Sequence, residues 1–270
     1  MRTFRRCVVP LAIVVAALGN ANAAFARPHL GMRRVRRHIS RHATKTVQGA
    51  VEVEGDIERD AFPDGSRGTQ LTTTGRFRLA DGIQLNLQVP ALSTDGAGSL
   101  RLVDVSAGVN VQVFDDVPMF GDVFVLPMLK APTGSLEQAT GTGTTDGTVL
   151  LVSSNQFGAV GVDLSAGYTR RSGDGTNAPR RATLWSAAVD GPIRRPLGWA
   201  IELSGLPATT GPAGSGASAA LTAGPTWNVH DRLAVDVAVM MPIAGDQPKA
   251  LFVSAVYRSP NTKRAPGSTR

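Results

Sequence analysis

From Thr46 onward the apolar residues recur with period two, and no segment sustains a 3.6-residue period. In "AVGVDLSAGYTR", Val160, Val162, Leu164, Ala166 and Tyr168 share one face, while Gly161, Asp163, Ser165, Gly167 and Thr169 share the other. "RLVDVSAGVNVQV" sets Val103, Val105, Ala107, Val109, Val111 and Val113 against Asp104, Ser106, Gly108, Asn110 and Gln112. "GIQLNLQV" sets Ile83, Leu85, Leu87 and Val89 against Gln84, Asn86 and Gln88, and "VQGAVEVEGDIE" sets Val47, Val51, Val53 and Ile57 against Gln48, Glu52, Glu54 and Asp56. Each segment therefore reads as a strand with one apolar face and one strongly polar face.

Extended along the chain, the same reading gives 12 candidate strands, centred near residues 52, 75, 86, 107, 125, 150, 164, 186, 202, 222, 237 and 254. Most run about 8 to 12 residues, close to the 9 to 11 that a tilted strand needs to cross a bilayer's hydrocarbon. Their connections alternate in length: the odd-numbered ones are long, and the even-numbered ones are mostly short. The fourth, "DDVPMFGD", and the eighth, "DGPIRRPLG", are longer than that rule expects. The pattern predicts an all-β, antiparallel transmembrane β-barrel of about 12 strands with both termini periplasmic. A soluble periplasmic β-sandwich would bury the same apolar face between two sheets. Strand length, full charges on the polar face and alternating loops favour the barrel.

The termini add a compartment. "MRTFRRCVVPLAIVVAALGNANAAFA" has basic residues, an apolar run from Cys7 to Leu18 and small residues suited to cleavage after Ala23 or Ala26. This is the layout of a secretory signal peptide, and a run of about 12 is too short to span a bilayer as a helix. The single cysteine leaves with the signal, so the mature chain is expected to hold neither a disulfide nor a thiolate site. The expected organisation is residues 1–26 as signal peptide, 27–45 as a basic, disordered arm, 46–258 as the barrel and 259–270 as a basic, disordered tail.

The net charge of +7 belongs to the ends. Seven of the 28 Lys and Arg lie between Arg27 and Lys45, whereas all 21 Asp and Glu lie between Glu52 and Asp246, where only 13 Lys and Arg occur. The body is thus acidic, and a cation-rich arm suits a solvated extension or contact with anionic lipid better than a nucleic-acid fold. With the polar faces turned inward, Glu52, Glu54, Arg76, Arg78, Asp104, Asp163, Glu202 and Asp236 become candidates for lining the lumen and setting its selectivity. The same charges could instead pair into a structural plug.

Two candidate chemistries do not survive inspection. "GTGTTDG" is followed by β-branched "TVLLVSSNQ" and not by a helix, lacks the third glycine of a dinucleotide fingerprint and has no P-loop lysine. His230 beside Asp231 is the one histidine outside the arm, and "NVHDR" reads as a turn, not as the base of a Ser/His/Asp arrangement. No catalytic residue, metal ligand or cofactor site is expected, and the chain is not read as an enzyme.

The segment "LKAPTGSLEQATGTGTTDGTVLLVSSNQFGAVGVDLSAGYT" resembles K-x-P-T-G, a variable loop, G-x-G-x-x-D and two amphipathic strands ending in G-Y. That pattern is similar to the bacterial outer-membrane family named for the meta-pathway of phenol degradation. Its motif falls on Lys130, Pro132, Thr133, Gly134, Gly141, Gly143 and Asp146; looser matches place Glu202 and Asp236 as strand acids, and the resemblance runs from about Leu100 to Tyr257. The motif glycines are expected to serve turn geometry and the flexibility of a long external loop. The resemblance implies a transporter in the outer membrane of a Gram-negative bacterium, admitting hydrophobic or aromatic solutes. Its partners would be outer-membrane lipid and lipopolysaccharide, a small-molecule solute and, during insertion, the barrel-assembly machinery. Three functions remain open at this point: a passive channel, a closed structural or surface-interaction barrel, and a periplasmic binding sandwich.

Overall fold

The computed structural model describes residues 51–94, 100–138 and 140–259. The expected signal peptide, the basic arm and residues 260–270 of the tail lie outside them. The chain forms β1 (Val51–Ala61), β2 (Arg67–Ala80), β3 (Ile83–Thr94), the two-residue β4 (Arg101–Leu102), β5 (Val105–Val117), β6 (Gly121–Ala131) and β7 (Asp146–Phe157). It continues as β8 (Val160–Arg171), β9 (Arg181–Arg194), β10 (Leu197–Leu206), β11 (Ser218–His230), β12 (Leu233–Ala244) and β13 (Lys249–Arg258). Each long strand pairs antiparallel with its neighbour, and β13 pairs with β1 from Glu52↔Arg258 to Ala61↔Lys249. Twelve long strands thereby close a barrel that has no free edge.

The faces fall as the alternation predicts. On β3, Gln84, Asn86 and Gln88 are buried, while Ile83, Leu85 and Leu87 are exposed. On β8, Leu164 and Tyr168 are exposed, and Ser165, Thr169 and Arg171 are buried. A soluble sandwich would bury the apolar face; here the buried face is the polar one, as expected of a wall with hydrocarbon outside. Exposed aromatics gather at the end that carries the short turns, with Phe77, Phe114, Phe157, Trp227 and Tyr257, and Tyr168 and Trp185 lie toward the opposite end. The turn end thus carries an aromatic girdle despite the low aromatic content, while Tyr168 and Trp185 sit on adjoining strands.

The two turns that broke the length rule do so because their strands run further than the periodicity suggested. β5 continues to Val117 and β6 begins at Gly121, while β9 continues to Arg194 and β10 begins at Leu197. Register shifts at Gln112/Phe114, Phe114/Val117 and Leu197/Gly198 break the period-two pattern while keeping the backbone paired. All the long loops consequently lie at one end of the barrel, the loop end, and short turns and both described termini lie at the other, the turn end.

One strand departs from its expected faces. β3 pairs with β4 through Ala91↔Leu102, and with β5 in a register displaced by one residue, ending at Gln88↔Ser106. Val103 and Asp104 together oppose Pro90, with Val103 N–H donating to Pro90 O at 3.0 Å. A bulge turns both residues to the same side, so Val103 is fully buried beside Asp104 and does not join the lipid-facing set.

The face assignment has a direct test. Leu151 is half exposed on the outer wall, and Leu151→Arg is expected to cost about 2 to 4 kcal/mol near the bilayer midplane. Thr222→Arg, directed into the interior cavity, is expected to cost markedly less. Denaturant unfolding in lipid, followed by the gel shift between folded and boiled protein, measures both.

Candidate functional site

The interior is divided among three kinds of surface. Toward the turn end lies a cavity of about 870 Å³, which Asp56, Asp122, Asp163, Asp190, Glu202 and Asp236 help to line. These carboxylates come from strands around most of the wall. Gly161 makes room for one of them, since a Cβ there would come within 2.5 Å of Asp190 Oδ1. Arg258 also lines this cavity and is engaged with Glu52, its Nε donating to Oε2 at 2.8 Å.

Against β1 and β2 the interior is an ion network. Arg76 donates through Nη1 to Glu52 Oε1 and through Nη2 to Glu54 Oε2, both at 2.5 Å, and all three side chains are almost fully buried. The register explains the meeting: Glu52 opposes Arg76 on β2 and Arg258 on β13. One carboxylate is thereby held from both neighbouring strands. Arg78 lies two residues nearer the turn end and pairs with exposed Asp81 at 3.3 Å, at the rim and apart from the Arg76 network.

On β6, β7 and β9 the inner wall is apolar instead. Phe124, Leu126, Leu150, Val152 and Leu184 form a buried cluster, with Met128 and Leu206 packed against it. The signal was present in the sequence, where "VFVLPML" and "VLLV" are apolar on both faces, but a period-two reading sees only the outward set.

The motif residues converge at the loop end. Asp104, placed inward by the bulge, accepts Lys130 Nζ at 2.6 Å, Gly134 N–H at 3.0 Å and Thr142 N–H at 3.0 Å. Lys130 also pairs with Asp146 at 3.3 Å and hydrogen-bonds Thr142 Oγ1. Asp146 in turn accepts Thr144 Oγ1 at 2.7 Å and Arg171 Nε at 3.0 Å, and Arg171 Nη1 donates to Pro179 O at 2.7 Å. Thr133 Oγ1 donates to Val103 O and accepts from Val105 N–H, fastening the start of the loop to the bulge.

The glycines have a use besides turn geometry. A Cβ at Gly134 would meet Thr140 O at 2.5 Å, one at Gly141 would meet Asp104 Oδ1 at 2.6 Å, and Gly143 has φ +65°. These glycines permit close backbone approach, and the segment is pinned at both ends. Pro132 only precedes the Thr133 anchor. Arg171, Thr142 and Thr144 were not singled out from the sequence; the "TGTGTTD" alternation, with Thr140, Thr142, Thr144 and Asp146 all buried, was the available signal.

Electrostatics follow the geometry at Asp104. Burial alone would push its carboxyl up, but the hydrogen bond from Lys130, the Thr142 amide, the Lys130 charge and the Gly134 amide together hold it below the ordinary 3.8. Among the described residues, no group of three or more His, Cys, Asp and Glu side chains could hold a metal ion. His230 ends β11, exposed at the turn end.

A closed antiparallel wall, apolar outside and charged within, defines a transmembrane β-barrel of the outer-membrane type. Solved structures agree. The COG4313 outer membrane channel from Pseudomonas putida F1 superposes with a TM-score of 0.61 at 11% identity, covering 80% of this chain and 97% of that one. The KdgM porin in complex with disordered oligogalacturonate gives 0.52 at 12% identity, covering 76% and 98%. No family model matches the sequence, and no curated protein does. In fold, the chain groups with outer-membrane channels and porins.

Breaking the loop-end network should be measurable. Lys130→Met leaves Asp104 and Asp146 short of a cation, and losing one partner of a buried pair costs about 3 to 5 kcal/mol. The expected result is a lower unfolding midpoint and new protease cleavage between Gly134 and Thr145, with Lys130→Met/Asp104→Asn recovering part of both. Because Asp104 is held below its ordinary value, its contribution is fully present above that value and is lost as pH falls through the lowered one. Cleavage in this segment should therefore rise on acidification below about pH 4 in the wild type, with a smaller change in Asp104→Asn.

Proposed function

We propose that this protein is a passive channel for small solutes in the outer membrane of a Gram-negative bacterium, with its turn end toward the periplasm. The supporting observation is the cavity of about 870 Å³ inside a closed transmembrane wall, lined by carboxylates from several strands. Charge arranged around a low-dielectric passage concentrates counter-ions and repels co-ions, so the interior favours cations and neutral molecules over anions. Among the sequence-chosen candidates, Asp163, Glu202 and Asp236 carry this selectivity, while Glu52 and Glu54 are balanced by Arg76 and Arg258 and brace the wall. Hydrophobic or aromatic solutes are the class that the resemblance to the phenol-degradation family implies.

A closed structural barrel is the second reading, favoured by the apolar cluster on β6, β7 and β9, whose Leu126 and Leu150 are fully buried. Planar-bilayer recording separates the two. The expected result is discrete channels whose reversal potential in a salt gradient shows cation preference, reduced in Asp163→Asn/Glu202→Gln/Asp236→Asn. Absence of channels at every voltage would favour the closed barrel, and anion preference would overturn the assigned selectivity. Liposome uptake of a small aromatic solute, compared with a sugar of similar size, tests the solute class.

A further inference from the structure

The inward-facing carboxylates have an outward counterpart. Five cations occupy outward positions near the loop end: Arg59 on β1, Arg67 on β2, Arg170 on β8, Arg181 on β9 and Lys249 on β13. They fall into two groups. Ala61 pairs with both Arg67 and Lys249, and Arg59 lies one outward position below it, so three cations share adjoining strands. On the other group, Arg170 and Arg181 are directly opposite each other across the β8–β9 ladder.

Their surroundings point to an anion. Arg67, Arg170, Arg181 and Lys249 are exposed; Arg59 is partly buried and donates to Thr69 Oγ1 at 2.6 Å. Among the described residues none of the five forms a salt bridge. The nearby strand carboxylates do not share this face, since Asp60 and Asp146 are both buried on the inner one. Like charges placed opposite each other destabilise a ladder, so the Arg170/Arg181 pair is unfavourable until an anion bridges it. Height selects the anion. Arg170 lies two residues beyond exposed Tyr168, roughly 7 Å along the strand, a step from the interfacial level that aromatic side chains favour to the level of lipid head groups.

We propose that these five side chains form a collar that binds the phosphate groups of lipopolysaccharide in the outer leaflet. Guanidinium groups grip phosphate through paired N–H donors, and two such clusters on different flanks hold separate lipid molecules. The collar rests on the reading that the barrel spans the outer membrane with its loop end outward. It adds a site for a lipid that the family resemblance already implies as a partner.

The experiment uses the full mature chain folded in detergent, with and without lipopolysaccharide, and compares it with the variant Arg59→Gln/Arg67→Gln/Arg170→Gln/Arg181→Gln/Lys249→Gln. Lipopolysaccharide should raise the wild-type unfolding midpoint and remain bound in native mass spectrometry. The variant should need about tenfold more lipid or more for the same shift. Arg170→Gln/Arg181→Gln alone should lose part of the binding, which guards against a five-fold variant that folds poorly. Equal lipopolysaccharide binding by the variants, an equal shift with dephosphorylated lipopolysaccharide, or an equal shift with inorganic phosphate at matched phosphate concentration would each overturn the proposal. No inward residue changes, so unitary conductance should be the same in variant and wild type, and the channel and the collar fail separately.

Discussion

Inside a bilayer every backbone N–H and C=O needs a partner, and the pairing of β1 with β13 completes that requirement for the whole sheet. Once the sheet is closed, each strand has one face toward hydrocarbon and one toward the interior, so side-chain chemistry has to alternate. The exposed leucines, valines and aromatics on the outside and the buried Glu, Asp, Gln, Asn and Thr within both follow from closure. A one-residue slip at the seam would turn Glu52 toward lipid and break its contacts with Arg76 and Arg258, so the ion network also fixes register.

The interior is uneven. Carboxylates surround the cavity toward the turn end, buried ion networks occupy the β1–β2 wall and the loop end, and apolar side chains cover β6, β7 and β9. Buried charges are tolerated here because each has close partners: Arg76 divides its guanidinium between two glutamates, and Lys130 divides its ammonium between two aspartates. The cavity is therefore edged by carboxylates, while the apolar cluster is packed upon itself and does not line it.

The period-two signal carried most of the architecture, because a wall between lipid and a polar interior enforces alternation residue by residue. It identified the inner positions of β3 and β8 and the inward direction of Glu52, Arg76 and Asp163. It failed where the backbone breaks step. The bulge opposite Pro90 turned Val103 inward, and the register shifts in β5, β6, β9 and β10 disguised long strands as long turns. It also failed where both faces are apolar, since alternation cannot distinguish an inward Leu126 from an outward Val125. The convergence of Asp104, Lys130, Asp146 and Arg171 was illegible for a different reason: these residues sit on four separate segments, and only the ladder registers bring them together.

The two ion networks differ greatly in the lengths of chain they close. Asp104 meets Lys130 and Thr142 across separations of 26 and 38 residues, and Asp146 meets Arg171 across 25. Glu52 meets Arg258 across 206. Contacts between neighbouring hairpins cost little loop-closure entropy, whereas the seam must bring together the two ends of the sheet. The loop-end network can therefore be complete while the sheet is still open, stiffening a curved wall of four strands onto which the remainder adds. The Glu52–Arg258 contact belongs among the last to form, and it records that the circle has closed in the correct register.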